Sequence, residues 1–217
     1  MFITPKNGYI GVGEYILSSH VSNNQMTDEY GVVSVERVLK HIFIFGKNFM
    51  TLVDILRQSE PERFESLYKI RNKLGQIIPY RRNRAQGEFA AAAHTRNIIL
   101  KSRQLGMTTE EAIGMLDNTL FSPNHDSLFI AHNLDAAKKI FAEKIEFAWN
   151  NIPQELKTLW RVDTNTAQAL RFDYGDGSFS SLAVDTSGRS GTFQRVHITE
   201  FADICKHYPE KAREIIE

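Results

Sequence analysis

Cysteine is nearly absent. Cys205 is the only one in 217 residues. That excludes an internal disulfide and a thiolate zinc cluster, and it fits a reducing compartment. A surplus of charge is missing too, because Lys plus Arg and Asp plus Glu each number 26. The chain as a whole therefore offers no field that attracts nucleic acid or an anionic surface, and any such contact must rest on a local patch. No apolar run reaches the roughly 18 residues that a membrane span needs. The first residues lack a basic stretch followed by an apolar core, so no secretory signal is expected. The seven histidines show no tight metal-ligand spacing.

What remains has the balance of a globular protein, 42% hydrophobic and 24% charged. The length suits one large domain, or a domain with an N-terminal attachment. We expect a small region over 1–78, mainly helical after residue 34, and an α/β core over 79–217. Residues 1–30 read as loops or short strands. SEPERFESLYKIRNKLG predicts a helix, with Ser59 and Glu62 as a capping box, Pro61 in the first turn and Gly75 as the stop. Phe64, Leu67, Tyr68, Ile70 and Leu74 would supply its apolar stripe. The arginines of IPYRRNRAQ, Arg81, Arg82 and Arg84, form a local basic cluster, either a binding patch or a solvated turn.

From Asn97 the texture changes. Residues 98–100 predict a buried strand and 108–120 a helix, with Thr108 and Glu111 at capping-box spacing. Residues 128–131 predict a second strand, and Asn133 can cap the helix that follows. In that helix Ala137, Phe141, Ile145 and Trp149 recur every four residues. Leu170, Phe172 and Tyr174 alternate with polar residues as in a strand with one wet face. The GDG at 175–177 turns the chain into a strand over 179–184, and a short strand over 196–199 ends at Glu200. This alternation predicts a mostly parallel sheet covered by helices. Ligands bind such sheets at the carboxyl ends of the strands.

The segment IILKSRQLGMTT carries the sharpest chemistry. A phosphate-binding loop reads G-x-x-x-x-G-K-[ST]. The aligned residues here are Lys101, Ser102, Arg103, Gln104, Leu105, Gly106, Met107 and Thr108, followed by Thr109. Gly106 and Thr108 match. Backbone N–H groups of such a loop and of the next helix cradle phosphate oxygens, and the Thr108 hydroxyl suits Mg²⁺. Met107 replaces the usual lysine and cannot neutralise charge, which leaves Lys101 and Arg103 as the cations within reach. Alternatively, the segment is an ordinary strand-to-helix turn. Downstream, RVHITEFA places Thr199 and Glu200 where a strand of this kind ends in acidic residues. Glu200 would polarise an attacking water, and Thr199 would hold a water of the metal shell. Arg189, in the glycine-rich SGRSGT, suits an arginine finger or a plain turn. His197 reads as a packed histidine.

These motifs together resemble the ATPase domain of the large terminase subunit, the DNA-packaging motor of tailed bacteriophages. ILKSRQLGMTT, FIAHNLDAAKKIF, SGRSGTFQR and VHITEFA carry the resemblance, over roughly residues 80–210. It implies a P-loop NTPase-like fold and ATP hydrolysis with Mg²⁺ that drives double-stranded DNA into a procapsid. It implies Lys101 as the relocated loop lysine, Glu200 as the catalytic glutamate, and Arg189 as a finger offered to a neighbouring subunit. Asn83 and Gln86 would recognise adenine. The partners implied are a small terminase subunit, the portal protein and further copies in a homo-oligomeric ring, in the host cytoplasm and at no membrane. Such proteins carry a C-terminal nuclease for which 217 residues leave no room, so the chain reads as a fragment with weak activity of its own. A helicase-like or DNA-repair ATPase is one alternative. A structural or nucleic-acid-binding module with a decayed nucleotide site is another.

Overall fold

The computed structural model describes residues 9–12, 15–18, 58–188 and 191–216. Near the N-terminus, β1 (Tyr9–Val12) and β2 (Tyr15–Ser18) pair antiparallel. Most of the expected helical region after residue 34 lies outside the described residues, as does Arg189.

α1 (Glu60–Leu67) begins as its sequence predicts. The Ser59 and Glu62 capping box forms and Pro61 sits in the first turn. The helix then stops at Leu67, well before Gly75. The expected continuation is instead a hairpin of β3 (Lys69–Arg71) and β4 (Ile77–Pro79). The Asn72 side chain accepts from the Leu74 and Gln76 amides, and Gly75 takes a left-handed φ of 78°. This local turn chemistry overrides the helical period. Leu74, expected on the apolar stripe, is exposed at the turn, while Phe64, Leu67 and Tyr68 are buried.

After α2 (Arg84–Ala92), the core is a five-stranded sheet in the order β6-β7-β8-β5-β9. Its strands are β5 (Asp126–Ile130), β6 (Arg161–Asn165), β7 (Ala169–Asp173), β8 (Phe179–Asp185) and β9 (Arg195–Ile198). β5 runs parallel to β8 and β9, whereas β6–β7 and β7–β8 are antiparallel. The sheet is thus mixed, not mostly parallel. The reason is the GDG turn: Gly175 and Gly177, both at positive φ, fold β7 straight back onto β8 as a hairpin. The second departure concerns residues 98–100. They form no strand, and Ile98 and Leu100 are 92% and 93% exposed.

Helices pack on this sheet as a mixed α/β fold. α3 (Met107–Phe121) lies on β5 and β8. It also touches a long helical run made of α4 (Leu134–Ile140), a π-helical segment (Phe141–Glu146) and α5 (Phe147–Asn150). Asn133 caps α4 by accepting from the Ala136 amide. Ala137, Phe141, Ile145 and Trp149 are all buried, as their rhythm predicts. A spacing of four overshoots the 3.6-residue α-helical turn, and the wider π turn takes up the excess, keeping all four on the core face. The large ones, such as Phe141 and Ile145, each contribute about 1.5–3 kcal/mol when buried. After α6 (Gln154–Lys157), Trp160 donates its indole N–H to the Leu120 carbonyl, tying the far end of α3 to the segment entering β6. Two short helices, α7 (Phe201–His207) and α8 (Pro209–Ile216), follow β9. No helix among the described residues is long and apolar enough to cross a membrane.

Candidate functional site

The loop 101–106 leads straight into α3. Gly106 is the helix N-cap, so Thr108 lies inside the first turn and is not itself the cap. The amides of Thr109 and Glu110 bond to the Gly106 carbonyl. Gly106 has two reasons to lack a side chain. Its φ is +77°, and a Cβ there would lie 2.8 Å from Gln86 Nε2. Gln104 also sits at positive φ, 65°, where a side chain is strained.

Neighbouring segments hold this loop shape. Asn83 Nδ2 donates to the Leu105 carbonyl at 3.0 Å, and Gln86 Nε2 donates to the Gly106 carbonyl at 2.8 Å. Gln86 Oε1 accepts from the Asn83 amide, and Asn83 Oδ1 accepts in return from the Gln86 amide, a reciprocal cap at the start of α2. Both side-chain amides, expected at adenine, are here bonded to the loop backbone. Lys73 Nζ donates to Gln104 Oε1 at 2.8 Å. Lys101, Ser102 and Arg103 are exposed on the loop, Leu105 and Thr108 are half-buried, and Met107 is buried. Met107 thus serves the core, in keeping with its lack of charge.

The arginine cluster upstream is not a free patch. Arg81 pairs with Glu65, Arg82 with both Glu60 and the buried Glu110, and Arg84 with Glu88. Tyr80 donates its hydroxyl to Glu110 as well. Burial raises the Tyr80 pKa, and the bond to Glu110 raises it further.

α3 also fixes where the loop lies relative to β9. Arg195 Nη2 meets Glu111 Oε2 at 3.0 Å, and a Cβ on Gly114 would lie 3.2 Å from the Arg195 guanidinium. His197 Nδ1 lies 3.9 Å from the same Glu111 oxygen. α3 packs on β5 and reaches it through the short connection 122–125, so the two run in opposite directions, and β9 is parallel to β5. The helix runs antiparallel to the strand, so its N-terminus is at the strand's carboxyl end. His197 packs on Phe129, ring centroids 4.6 Å apart, as a packed histidine should. Burial lowers its pKa to about 4, with the charges of Arg195 and Lys101 acting the same way. Glu111 is engaged by Arg195, so His197 stays neutral beside it.

At that carboxyl edge the chain leaves β9 through Thr199 and Glu200. Thr199 is buried and its amide bonds to the Ile130 carbonyl at 2.9 Å. Glu200 adopts a left-handed backbone, φ 55° and ψ 38°, just before α7. Such a conformation in a residue other than glycine is uncommon and costs about 1–3 kcal/mol. Its carboxylate is 66% exposed and faces His132 at 3.6 Å. His132 and Arg195 were given no role by motif reasoning, and Glu111, expected in a capping box with Thr108, instead pairs with Arg195. The available signal for His132 was a polar residue placed directly after the apolar run FIA. Among the described residues no group of three or more His, Cys, Asp or Glu is arranged to hold a metal ion. Compared with known proteins, the chain matches no family model and no curated protein.

Proposed function

We propose that the chain is the ATP-binding and ATP-hydrolysing part of a DNA-packaging motor of the large-terminase type, built on a P-loop NTPase-like core. One observation carries the reading. A glycine-capped loop with two exposed cations, Lys101 and Arg103, opens a helix whose N-terminus is at the same sheet edge as a strained, exposed Glu200. A triphosphate needs cations and backbone N–H groups on one side, and a carboxylate that can polarise water on the other.

In this reading Lys101 neutralises the phosphates, aided by Arg103. Ser102, Gln104, Leu105, Gly106, Met107 and Thr109 contribute backbone to the cradle. Glu200 orients the attacking water. Mg²⁺ keeps several of its waters and leans on the substrate phosphates, so hydroxyls in place of the usual carboxylate would meet it here. Thr108 would hold it directly and Thr199 through water. Bound there, the ion would neutralise charge developing on the phosphate oxygens. Asn83 and Gln86 would reach the adenine only by exchanging their present bonds to the loop. Arg189 is the proposed finger for a neighbouring copy in a ring. Double-stranded DNA, a small terminase subunit and a portal are the proposed partners.

The exposure of Ile98 and Leu100 favours a second reading, a structural or nucleic-acid-binding module whose nucleotide site is no longer completed by a strand. The two readings separate on ATP binding and turnover in K101A beside M107A. The motor reading expects a severe loss only in K101A, since charge builds on the transferring oxygens. Unchanged turnover in K101A rejects Lys101 as the phosphate cation. No ATP binding by the unaltered chain favours the second reading.

A further inference from the structure

We propose that His132 is a positioning residue that holds the Glu200 carboxylate through its Nδ1–H. The inference rests on the reading of Glu200 as the water-orienting group. It begins with register. β5 and β9 are parallel neighbours with Ile130 opposite Ile198. Two residues beyond the end of each strand stand His132 and Glu200, and the parallel ends bring the imidazole within 3.6 Å of the carboxylate. The strand ends are themselves fixed: the Thr199 amide bonds to the Ile130 carbonyl, and the Ala131 amide to that of Asp185. From α8, Lys211 Nζ donates to the His132 carbonyl at 3.2 Å.

His132 Nδ1 is buried and has no hydrogen-bond partner, and Glu200 Oε2 lies 3.6 Å away. A buried ring nitrogen without a partner is uncommon. A movement of under about 1 Å would bring the pair to the length of an ordinary charge-assisted hydrogen bond. Glu200 gains from the contact as well. Its backbone is already fixed in the left-handed region, but its exposed side chain is free to turn. A donor from the adjacent strand selects the rotamer that keeps the carboxylate at the sheet edge. The ring nitrogen that carries the proton is thereby assigned: Nδ1 bears it and Nε2 does not.

The test uses the full chain and two kinds of readout. Long-range proton–nitrogen NMR correlations report the tautomer of His132 at a pH where the ring is neutral. The Nδ1–H form is expected, reverting to Nε2–H in E200A. Single-turnover ATP hydrolysis and affinity for a fluorescent ATP analogue are then measured in H132F and H132N. The phenyl ring keeps the bulk and removes the donor, while asparagine places an amide N–H near the position of Nδ1. H132F should lose turnover about 10–100-fold with unchanged affinity, as for a misplaced reacting group. H132N should keep most of it. An Nε2–H tautomer in the unaltered chain, or one insensitive to E200A, overturns the proposal. So does H132F turning over normally while E200Q is silent, and that outcome leaves the ATPase reading standing. Normal turnover in E200Q, or no binding of the ATP analogue by the unaltered chain, removes the ATPase reading and with it the catalytic purpose of the contact.

Discussion

The flank and the N-terminal loop of α3 treat charge in opposite ways. Along its flank, where α1 and the β3–β4 hairpin pack, the α3 carboxylates Glu110 and Asp117 are paired and covered. Asp117 accepts from Arg63 at 3.1 and 2.6 Å and from the Tyr68 hydroxyl at 2.9 Å, with its side chain only 2% exposed. Glu110 is gripped by Tyr80 and Arg82. At its N-terminal loop, Lys101 and Arg103 stand exposed, and across the edge so does Glu200. The first arrangement needs nothing further. The second makes sense when something charged arrives from outside. The same helix is thus a covered anchor on one side and, in the proposed reading, an open socket at its end. The completeness of the charge pairing separates the two roles better than the kind of residue does.

Breaking the anchor should give the largest effect on stability. Burial raises the Asp117 pKa above the usual carboxylate value, against the lowering effect of the bonds from Arg63 and Tyr68. Burial also acts to lower the Arg63 pKa, but Asp117 outweighs it, so the guanidinium is held charged. Removing one partner strands the other in a dry site. D117A should cost about 3–5 kcal/mol in a denaturant titration. K101A and R103A, at the socket, should stay within about 0.5 kcal/mol of the unaltered chain. Equal losses from the two groups would dissolve the distinction.

His197 lies between the two regions and sharpens the comparison by pH. Its folded pKa is depressed to about 4 from 6.5. A depressed value means the unfolded chain binds the proton more readily. Its contribution is therefore fully present above pH 6.5 and is lost as pH falls through about 4. The size is on the order of 3 kcal/mol at most. H197F, which cannot take the proton, should flatten that part of the stability profile between pH 6.5 and 4. Identical profiles would mean that burial does not hold the ring neutral.

The anchor was partly legible in the sequence, and the socket was legible in a different way. The Ser59 box, the Asn133 cap and the four-residue rhythm of 137–149 are local signals, and local signals survive folding. The pairing of Arg63 with Asp117 joins residues 54 positions apart, which no period announces. The hairpin at 69–79 was misread because Tyr68, Ile70 and Leu74 also fit a helical stripe. Asn72 and Gly75 decided otherwise. The turn into α3 was legible at Gly106, whose positive φ suits a residue without a side chain. What residue types could not convey is that Asn83 and Gln86 bond to the loop itself, or that His132 comes to lie opposite Glu200. Those depend on register.

The smallest expected effect concerns the segment leading into the socket. Ile98 and Leu100 alternate with the half-buried Ile99, as strand residues would, yet both stand almost wholly in solvent. Val196 on β9, which occupies an edge of the sheet, is 49% exposed. Polar replacements in so exposed a segment remove no buried surface. I98T and L100T should each change stability by less than about 0.5 kcal/mol. If the segment instead pairs as a strand, each replacement removes buried apolar surface, and the loss rises to about 1–3 kcal/mol. Amide hydrogen exchange adds an independent measure. An unpaired segment exchanges at nearly the rate of free chain, whereas a strand in a sheet is protected. Slow exchange at Ile98, Ile99 and Leu100, together with costly I98T and L100T, would restore the buried strand that the sequence predicts. It would also carry the loop 101–106 on a sheet strand, as the motor reading expects. Fast exchange with silent substitutions would leave the loop anchored only through α3, Asn83, Gln86 and Lys73.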